Sequence, residues 1–229
     1  MNYKLAVFDM DGTILNTLDD LAAAINHGLD YFGMPVRTTE EVRWFVGNGM
    51  HKLAERAVPQ GTSHEKVEEV FAEMHRFYKI HCADNTKPYD GIPEMLKTLK
   101  ANGVLTAVVS NKAEYAVKSL CRDYFDGLFD YSAGDKEGRR IKPYPDMVEA
   151  VLEQAGVDKS EAVYVGDSDV DFQTALNSGL FPIMVDWGFR GEAFLREHGA
   201  ELVVFKPEDI LPLLGITEQK SQRFREGLQ

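Results

Sequence analysis

Residues 5–13 read Leu-Ala-Val-Phe-Asp-Met-Asp-Gly-Thr, and the rest of the chain is organised around this stretch. Four apolar residues followed by two carboxylates and a glycine are typical of a buried parallel strand that runs into a tight loop. Ligands of open α/β sheets bind beyond the carboxyl ends of the strands, where one carboxylate can attack or bind a cation while another moves a proton. Asp9 and Asp11 are therefore candidate functional groups, although a surface turn would use the same residue types.

The composition narrows the class of protein. The chain has 229 residues, of which 44% are hydrophobic, so one or two domains with a real core are expected. Its formal net charge of −12 argues against nucleic-acid binding, which depends on clustered Lys and Arg. A phosphorylated substrate stays possible, because a bound cation can reverse the local field.

The sequence predicts a soluble, cytoplasmic protein without a membrane partner. No signal peptide follows Met1, and no apolar run approaches the ~20 residues of a membrane span. Cys82 and Cys121 lie far apart in the sequence and are expected to be reduced thiols. The oligomeric state stays open between a monomer and a dimer.

Residues 15–85 have helical periodicity and contain no convincing strand. Thr38 and Glu41 predict a capping box at the start of a second helix, and a Gly-Asn-Gly turn at 47–49 separates that helix from the next. We therefore expect about four helices that form a separate cap over the sheet.

From residue 86 onward, apolar strand patterns alternate with helical patterns. The strands are expected at 105–109, around 128–132, and at 162–165, 181–185 and 202–205. Such alternation implies right-handed crossovers and a parallel, doubly wound sheet. The predicted fold is α/β, with a Rossmann-like core of residues 1–14 and 86–229 and an inserted, all-helical cap of residues 15–85.

Polar side chains are expected to converge at one edge of this sheet. They are Asp9, Asp11, Ser110, Asn111, Lys142, Asp167 and Asp171. The carboxylates are hard oxygen donors of the kind that Mg²⁺ prefers, and they need a cation to limit their mutual repulsion. The hydroxyl, amide and ammonium groups can bind phosphate oxygens. The set predicts a magnesium site beside a phosphate site, which is the arrangement that phosphoryl transfer needs.

At these residues the chain resembles the haloacid dehalogenase superfamily. The four motifs of that family are matched in order at 9–13, 109–111, 142–145 and 166–171, and the resemblance extends to about residue 214. The Val-Gly-Asn-Gly turn that ends at Gly49, and the Asn111-Lys112 pair, are similar to the phosphoglycolate phosphatase branch of the family.

The resemblance implies a Mg²⁺-dependent phosphatase that forms an aspartyl phosphate. Asp9 would be the nucleophile, and Asp11 would protonate the leaving group and then activate water. The metal would be held by Asp9, the backbone carbonyl of Asp11 and Asp167, with Asp171 binding it directly or through water. Asp171 is also explained by a structural role at a helix start.

The same resemblance implies the remaining contacts. Phosphate would be held by Ser110, Asn111 and Lys142, and the substrate loop of the cap would be formed by Gly47, Asn48 and Gly49. The implied substrate is a small phosphorylated metabolite, with phosphoglycolate favoured. An inorganic pyrophosphatase, a sugar-phosphate mutase and a non-enzymatic phosphoester- or partner-binding protein are the alternatives.

Five further residues receive simpler interpretations. Asp19 and Asp20 are expected at a solvated helix start, and Asp169 in a solvated first turn. Lys112 is expected to be a surface charge or a residue that contacts the site residues without binding phosphate itself. His51 is a candidate substrate contact.

Overall fold

The computed structural model describes residues 3–217, which divide into two compact units. One unit runs to Ile14 and resumes at Pro88, and it contains a parallel sheet. The other unit, Leu15–Lys87, is mainly helical. In residues 3–217 no helix combines the length and the apolar character that a membrane span requires.

The elements follow one another in an order that alternates strands and helices after residue 87. In chain order they are β1 (Leu5–Phe8), β2 (Leu15–Asn16), α1 (Leu18–Tyr31), α2 (Thr39–Phe45), α3 (Met50–Ala57), α4 (His64–His81), β3 (Lys87–Pro88), α5 (Ile92–Ala101), β4 (Leu105–Ala113), α6 (Glu114–Phe125), β5 (Tyr131–Asp135), α7 (Asp146–Ala155), β6 (Ala162–Gly166), α8 (Asp169–Ser178), β7 (Phe181–Val185), α9 (Gly191–Glu197), β8 (Val203–Val204) and α10 (Ile210–Leu213).

The main sheet has six parallel strands in the order β5-β4-β1-β6-β7-β8. The strand order reverses at β1, because the chain first moves outward through β4 and β5 and then returns to the other side of β1. Phe8 lies opposite both Val108 and Val165, so the three central strands reach the same edge together. This topology confirms the predicted doubly wound α/β class.

The central strand is buried on both faces, which explains why its sequence is continuously apolar instead of alternating. Leu5 and Val7 pack in one cluster with Met147, Val148 and Val151 of α7. Burial of such side chains stabilises the sheet by about 1.5–3 kcal/mol for each large residue. A firmly held β1 fixes the position of the acidic loop that follows it.

Several strand boundaries differ from those that the sequence predicts. β4 continues to Ala113, β5 begins at Tyr131, β6 continues to Gly166, and β8 is limited to Val203–Val204. The start of α8 at Asp169 has a local cause, because the hydroxyl of Ser168 accepts the backbone N–H of Asp171 and caps the helix.

In the helical unit, α1 and α3 both pack against α4. The predicted capping box of α2 is confirmed: Glu41 N donates to Thr38 Oγ1 at 3.2 Å, and Thr38 N donates to Glu41 Oε2 at 2.8 Å. The expectation of no strand in this segment is wrong at β2, which pairs with β3 in a two-stranded sheet. Neither Cys82 nor Cys121 forms a disulfide bond.

Asp20 is buried, so the predicted solvated position is wrong for this residue, whereas Asp19 is exposed as expected. The Asp20 carboxylate accepts the backbone N–H groups of Asn85 and Thr86 at 2.9 and 2.8 Å. It also accepts the Thr86 hydroxyl at 2.7 Å. One carboxylate on α1 therefore holds the segment that follows α4.

We expect Asp20→Ala to lower the free energy of unfolding by about 3 kcal/mol, because the buried N–H and hydroxyl of Thr86 lose their acceptor together with the donors of Asn85. Asp19→Ala removes an exposed carboxylate one residue earlier and should change the free energy by less than about 0.5 kcal/mol. Urea denaturation followed by circular dichroism measures both. Equal effects of the two substitutions would contradict a specific anchoring role of Asp20.

Candidate active site

The candidate residues of the sheet unit lie at one edge because of the register of β1, β4 and β6. Asp9 directly follows β1, and its backbone N–H donates to the carbonyl of Val165 at 2.9 Å. Asp167 directly follows β6, while Ser110 lies near the end of β4. The reversal of strand order at β1 places this edge where open α/β folds bind their ligands.

Asp9, Asp167 and Asp171 form a buried cluster in which one oxygen of each carboxylate lies within 4.8 Å of the others. Burial raises the pKa of Asp9 well above its ordinary value, and the Asp171 carboxylate raises it further. Burial also raises the pKa of Asp167 to about 7, again with a contribution from Asp171. Three hard oxygen donors that repel one another suit a divalent cation, so the donor set fits the expected metal.

Lys142 lies between two of these carboxylates. Its Nζ atom is 2.6 Å from Asp9 Oδ1 and 2.7 Å from Asp171 Oδ1. Burial alone would lower the pKa of Lys142, but the Asp171 and Asp9 carboxylates hold it well above its ordinary value. The hydroxyl of Tyr164 also donates to Asp171 Oδ1, at 3.0 Å. Lys142 is therefore a buried ammonium ion, held in place by ion pairs.

Asn111 holds the backbone of the loop that carries Lys142. Lys142 N donates to Asn111 Oδ1 at 2.7 Å, and Asn111 Nδ2 donates to Lys142 O at 3.1 Å. The Asn111 side chain thus positions Lys142, which the sequence pattern did not indicate. The expected phosphate contact of Asn111 stays a prediction.

Asp11 lies beside a second ammonium group and is partly exposed. Lys112 Nζ is 3.0 Å from Asp11 Oδ1, and the Ser110 hydroxyl is 3.5 Å from Asp11 Oδ2. The Lys112 side chain is only 2% exposed, so the expectation of a surface charge is wrong. The alternative, that Lys112 contacts residues of the site, agrees with its ion pair to Asp11. The expected role of the Asp11 backbone carbonyl as a metal ligand stays a prediction.

Asp167 is held by groups that the sequence analysis did not single out. Its two oxygens accept the Thr13 hydroxyl at 3.2 Å and the Phe189 backbone N–H at 2.7 Å. A Cβ atom at Gly12 or Gly188 would overlap the Asp167 side chain, so both positions need glycine. Residues 187–189 follow β7. The rule that ligands bind beyond the carboxyl ends of parallel strands could have singled out this segment as well.

Asp171 has the structural role at a helix start that the sequence left open for it, and its role as a metal ligand stays a prediction. Its Oδ2 accepts the Ser168 hydroxyl at 2.6 Å and the Ser168 backbone N–H at 3.2 Å, while Oδ1 belongs to the buried cluster. Asp169 is half-exposed in the first turn of α8, as expected.

Gly47, Asn48 and Gly49 lie between α2 and α3 of the helical unit. Asn48 Oδ1 accepts Arg56 Nη2 at 2.7 Å, which fixes the turn to α3. His51 pairs with Glu68 at 2.6 Å. The expected roles of these four residues in substrate choice stay predictions.

The family model of haloacid dehalogenase-like hydrolases matches residues 6–185. The chain belongs to this family, and the resemblance seen in its motifs is confirmed. It is 32% identical over 214 residues to Phosphoglycolate phosphatase 1 of Pseudomonas aeruginosa, covering 91% of this chain and 79% of that protein. It is 26% identical over 215 residues to Pyrophosphatase PpaX of Bacillus cereus, covering 93% and 97%.

A crystal structure from Lactobacillus delbrueckii subsp. bulgaricus, provisionally described as a phosphoglycolate phosphatase, superposes with a TM-score of 0.90. Its sequence is 36% identical, and the match covers 93% of this chain and 99% of that one. These relatives confirm the expected enzyme class, a phosphoric monoester hydrolase similar to phosphoglycolate phosphatases.

Proposed function

We propose that this chain is a cytoplasmic, Mg²⁺-dependent phosphatase that hydrolyses a small phosphorylated metabolite, with phosphoglycolate as the first candidate. The observation that carries the proposal is the buried contact of Lys142 with Asp9 and Asp171, next to Asp167. In this proposal Asp9 is the nucleophile, the three carboxylates hold the cation, and the Lys142 ammonium group binds phosphate at the same edge of the sheet. Phosphoglycolate is favoured because relatives that match most of the chain carry that name.

The charge balance of the site supports a divalent cation. Four carboxyl groups and two lysine ammonium groups meet there; they belong to Asp9, Asp11, Asp167, Asp171, Lys112 and Lys142. Mg²⁺ held by Asp9, Asp167 and Asp171 would offset the repulsion among these three carboxylates and stabilise the charge of the transferring phosphoryl group.

In the first step, an oxygen of Asp9 forms a bond to phosphorus while the bond from phosphorus to the leaving oxygen breaks. Protonated Asp11 gives its proton to that oxygen, which leaves as an alcohol. Lys142 binds the phosphoryl oxygens, and it offsets the repulsion between the Asp9 carboxylate and the phosphate dianion. The product of this step is an aspartyl phosphate on Asp9.

In the second step, Asp11 takes a proton from water as the water oxygen attacks phosphorus. The bond between phosphorus and the Asp9 oxygen breaks, and inorganic phosphate leaves. Asp9 is again a carboxylate and Asp11 is again protonated, so the cycle is complete.

Pyrophosphate hydrolysis is the second candidate, because a pyrophosphatase matches this chain over nearly its whole length. The same groups would act there, with phosphate as the leaving group. Pyrophosphate needs less help from Asp11, because its leaving group accepts negative charge more readily than an alkoxide does.

We expect Mg²⁺ affinity to fall as the pH is lowered below about 7. Burial raises the pKa of Asp167 to about 7 in the metal-free protein, so below that pH a cation must displace a proton in order to bind. Calorimetric titration in buffers of different ionisation enthalpy measures both the affinity and the proton release. A constant affinity between about pH 8 and pH 6 would contradict Asp167 as a ligand.

Phosphate release from a panel of phosphorylated metabolites tests the function. The panel includes phosphoglycolate, pyrophosphate and sugar phosphates, each with Mg²⁺ and with excess chelator, and Asp9→Asn serves as the background control. Metal-dependent release from one small ester above the others supports the proposal. Preference for pyrophosphate favours the second candidate. Release that requires a bisphosphate activator favours a mutase, and no release by the folded protein favours a binding role.

A further inference from the structure

Lys112 is a buried cation to which the reaction scheme above gives no task. Lysine is rarely buried unless it is paired with an opposite charge, because removing its ammonium group from water is costly. Here the ammonium group is 3.0 Å from Asp11 Oδ1, and its side chain is 2% exposed against 21% for Asp11. The chain therefore buries a charge next to the carboxyl group that is proposed to move the proton.

Lys112 lies in an irregular part of β4. Val109 of β4 lies opposite Ala133 of β5, but Ala113 lies opposite Asp135, so four steps on β4 match two steps on β5. Irregularities of this kind occur often next to active sites. Ser110 and Lys112 are two residues apart and both reach Asp11, while the side chain between them reaches the Lys142 backbone instead.

Hydrogen bonds and an ion pair join three residues, Asp11, Ser110 and Lys112, in a ring. Lys112 N donates to Ser110 Oγ at 3.2 Å, and Ser110 Oγ donates across 3.5 Å to Asp11 Oδ2. Lys112 Nζ closes the ring at Asp11 Oδ1. An ammonium group has only donors, so Asp11 Oδ1 accepts from Lys112 while Oδ2 accepts from Ser110, and the carboxyl group is held at both of its oxygens.

We propose that Lys112 is a positioning residue that orients the Asp11 carboxyl group for its acid–base step. The inference rests on the proposed function. As the bond from phosphorus to the leaving oxygen breaks, the proton passes from the Asp11 carboxyl group to that oxygen. In the second step, a proton of the attacking water returns to Asp11.

This role predicts a dependence on the leaving group. An alkyl phosphate needs a well-placed proton because an alkoxide is a poor leaving group, whereas 4-nitrophenolate leaves without one. A Lys112 that instead bound the phosphoryl group would affect both kinds of ester equally, since their phosphoryl groups are the same.

The experiment compares Lys112→Met, Lys112→Arg, Asp11→Asn and the double variant Lys112→Met/Asp11→Asn. The kcat values for phosphoglycolate, or the best alkyl ester of the panel, and for 4-nitrophenyl phosphate are measured with Mg²⁺. We expect Lys112→Met to lower kcat about 100-fold for the alkyl ester and less than about fivefold for the aryl ester. Lys112→Arg should retain more of the kcat for the alkyl ester than Lys112→Met does. When Asp11 is already replaced by Asn, adding Lys112→Met should lower this kcat by less than about a further threefold. The control Lys136→Met removes an exposed lysine and should leave both rates unchanged.

Equal losses on the two esters, or full additivity with Asp11→Asn, would overturn the inference and leave the proposed function standing. An unmodified protein that releases phosphate from no ester would instead contradict the proposed function, and the inference with it. Circular dichroism checks the fold, and Lys112→Gln supplies the same comparison of esters if Lys112→Met does not fold.

Discussion

Asp9→Asn is expected to lower the kcat of phosphate release by at least about 10⁴-fold for every ester, because a neutral amide is a poor nucleophile and a weaker ligand for a cation. The change removes one charge and almost no volume. Phosphate release with Mg²⁺, measured on freshly purified protein, gives the result. A rate near that of the unmodified protein would contradict the assignment of Asp9 as the nucleophile.

The same substitution should leave the metal-free protein at least as stable as before, and about 1 kcal/mol more stable if the relief of repulsion dominates. Burial and the Asp171 carboxylate both raise the pKa of Asp9, so its ionised form is held at a cost to folding. Lys142 keeps its contact with Asp171 at 2.7 Å after the change. Loss of activity without loss of stability separates a chemical role from misfolding.

Asp169→Asn is the matched control for this experiment. Asp169 is a half-exposed carboxylate in the first turn of α8 and is not part of the buried cluster. We expect its replacement by Asn to change kcat by less than about twofold. A loss comparable to that of Asp9→Asn would show that removal of any nearby negative charge disables the site.

The parts of the site that depend on local sequence and strand order could be predicted. Asp9 follows four apolar residues, and the parallel register that sets Phe8 opposite Val108 and Val165 follows from alternating strands and helices. Once β1 is central, the residues after each strand must meet at one edge. The approach of Asp9 and Asp167 follows from that topology, whereas the contacts of Lys142 with Asp9 and Asp171 also depend on the loop that Asn111 holds.

The parts that depend on contacts distant in sequence could not be predicted. Asp20 has the same charge and local setting as Asp19, and only a segment 65 residues away makes one of them buried. Lys112 has the pattern of a solvated charge after a strand, but β4 continues through it and its partner Asp11 lies about 100 residues earlier in the chain. In both cases burial of a charged side chain is decided by its partner and not by its sequence neighbours.

Lys142→Met is expected to lower both activity and stability, in contrast to Asp9→Asn. Removing the ammonium group leaves the Asp9 and Asp171 carboxylates buried without their counter-charge, which costs about 3–5 kcal/mol of folding free energy in the metal-free protein. It also removes the cation proposed to bind the phosphoryl oxygens, so kcat should fall about 10³-fold. Urea denaturation with chelator and phosphate release with Mg²⁺ measure the two effects.

The loss of stability in Lys142→Met should shrink when the pH is lowered. Burial already raises the pKa of Asp9 above its ordinary value, and removal of Lys142, which lowers that pKa, raises it further. The folded variant then binds more protons than the unfolded chain, so its stability relative to the unmodified protein increases as the pH falls. Mg²⁺ at neutral pH should also reduce the stability lost in Lys142→Met, because it supplies positive charge to the carboxylates. A variant as stable as the unmodified protein in chelator at neutral pH would show that Lys142 does not compensate their charge.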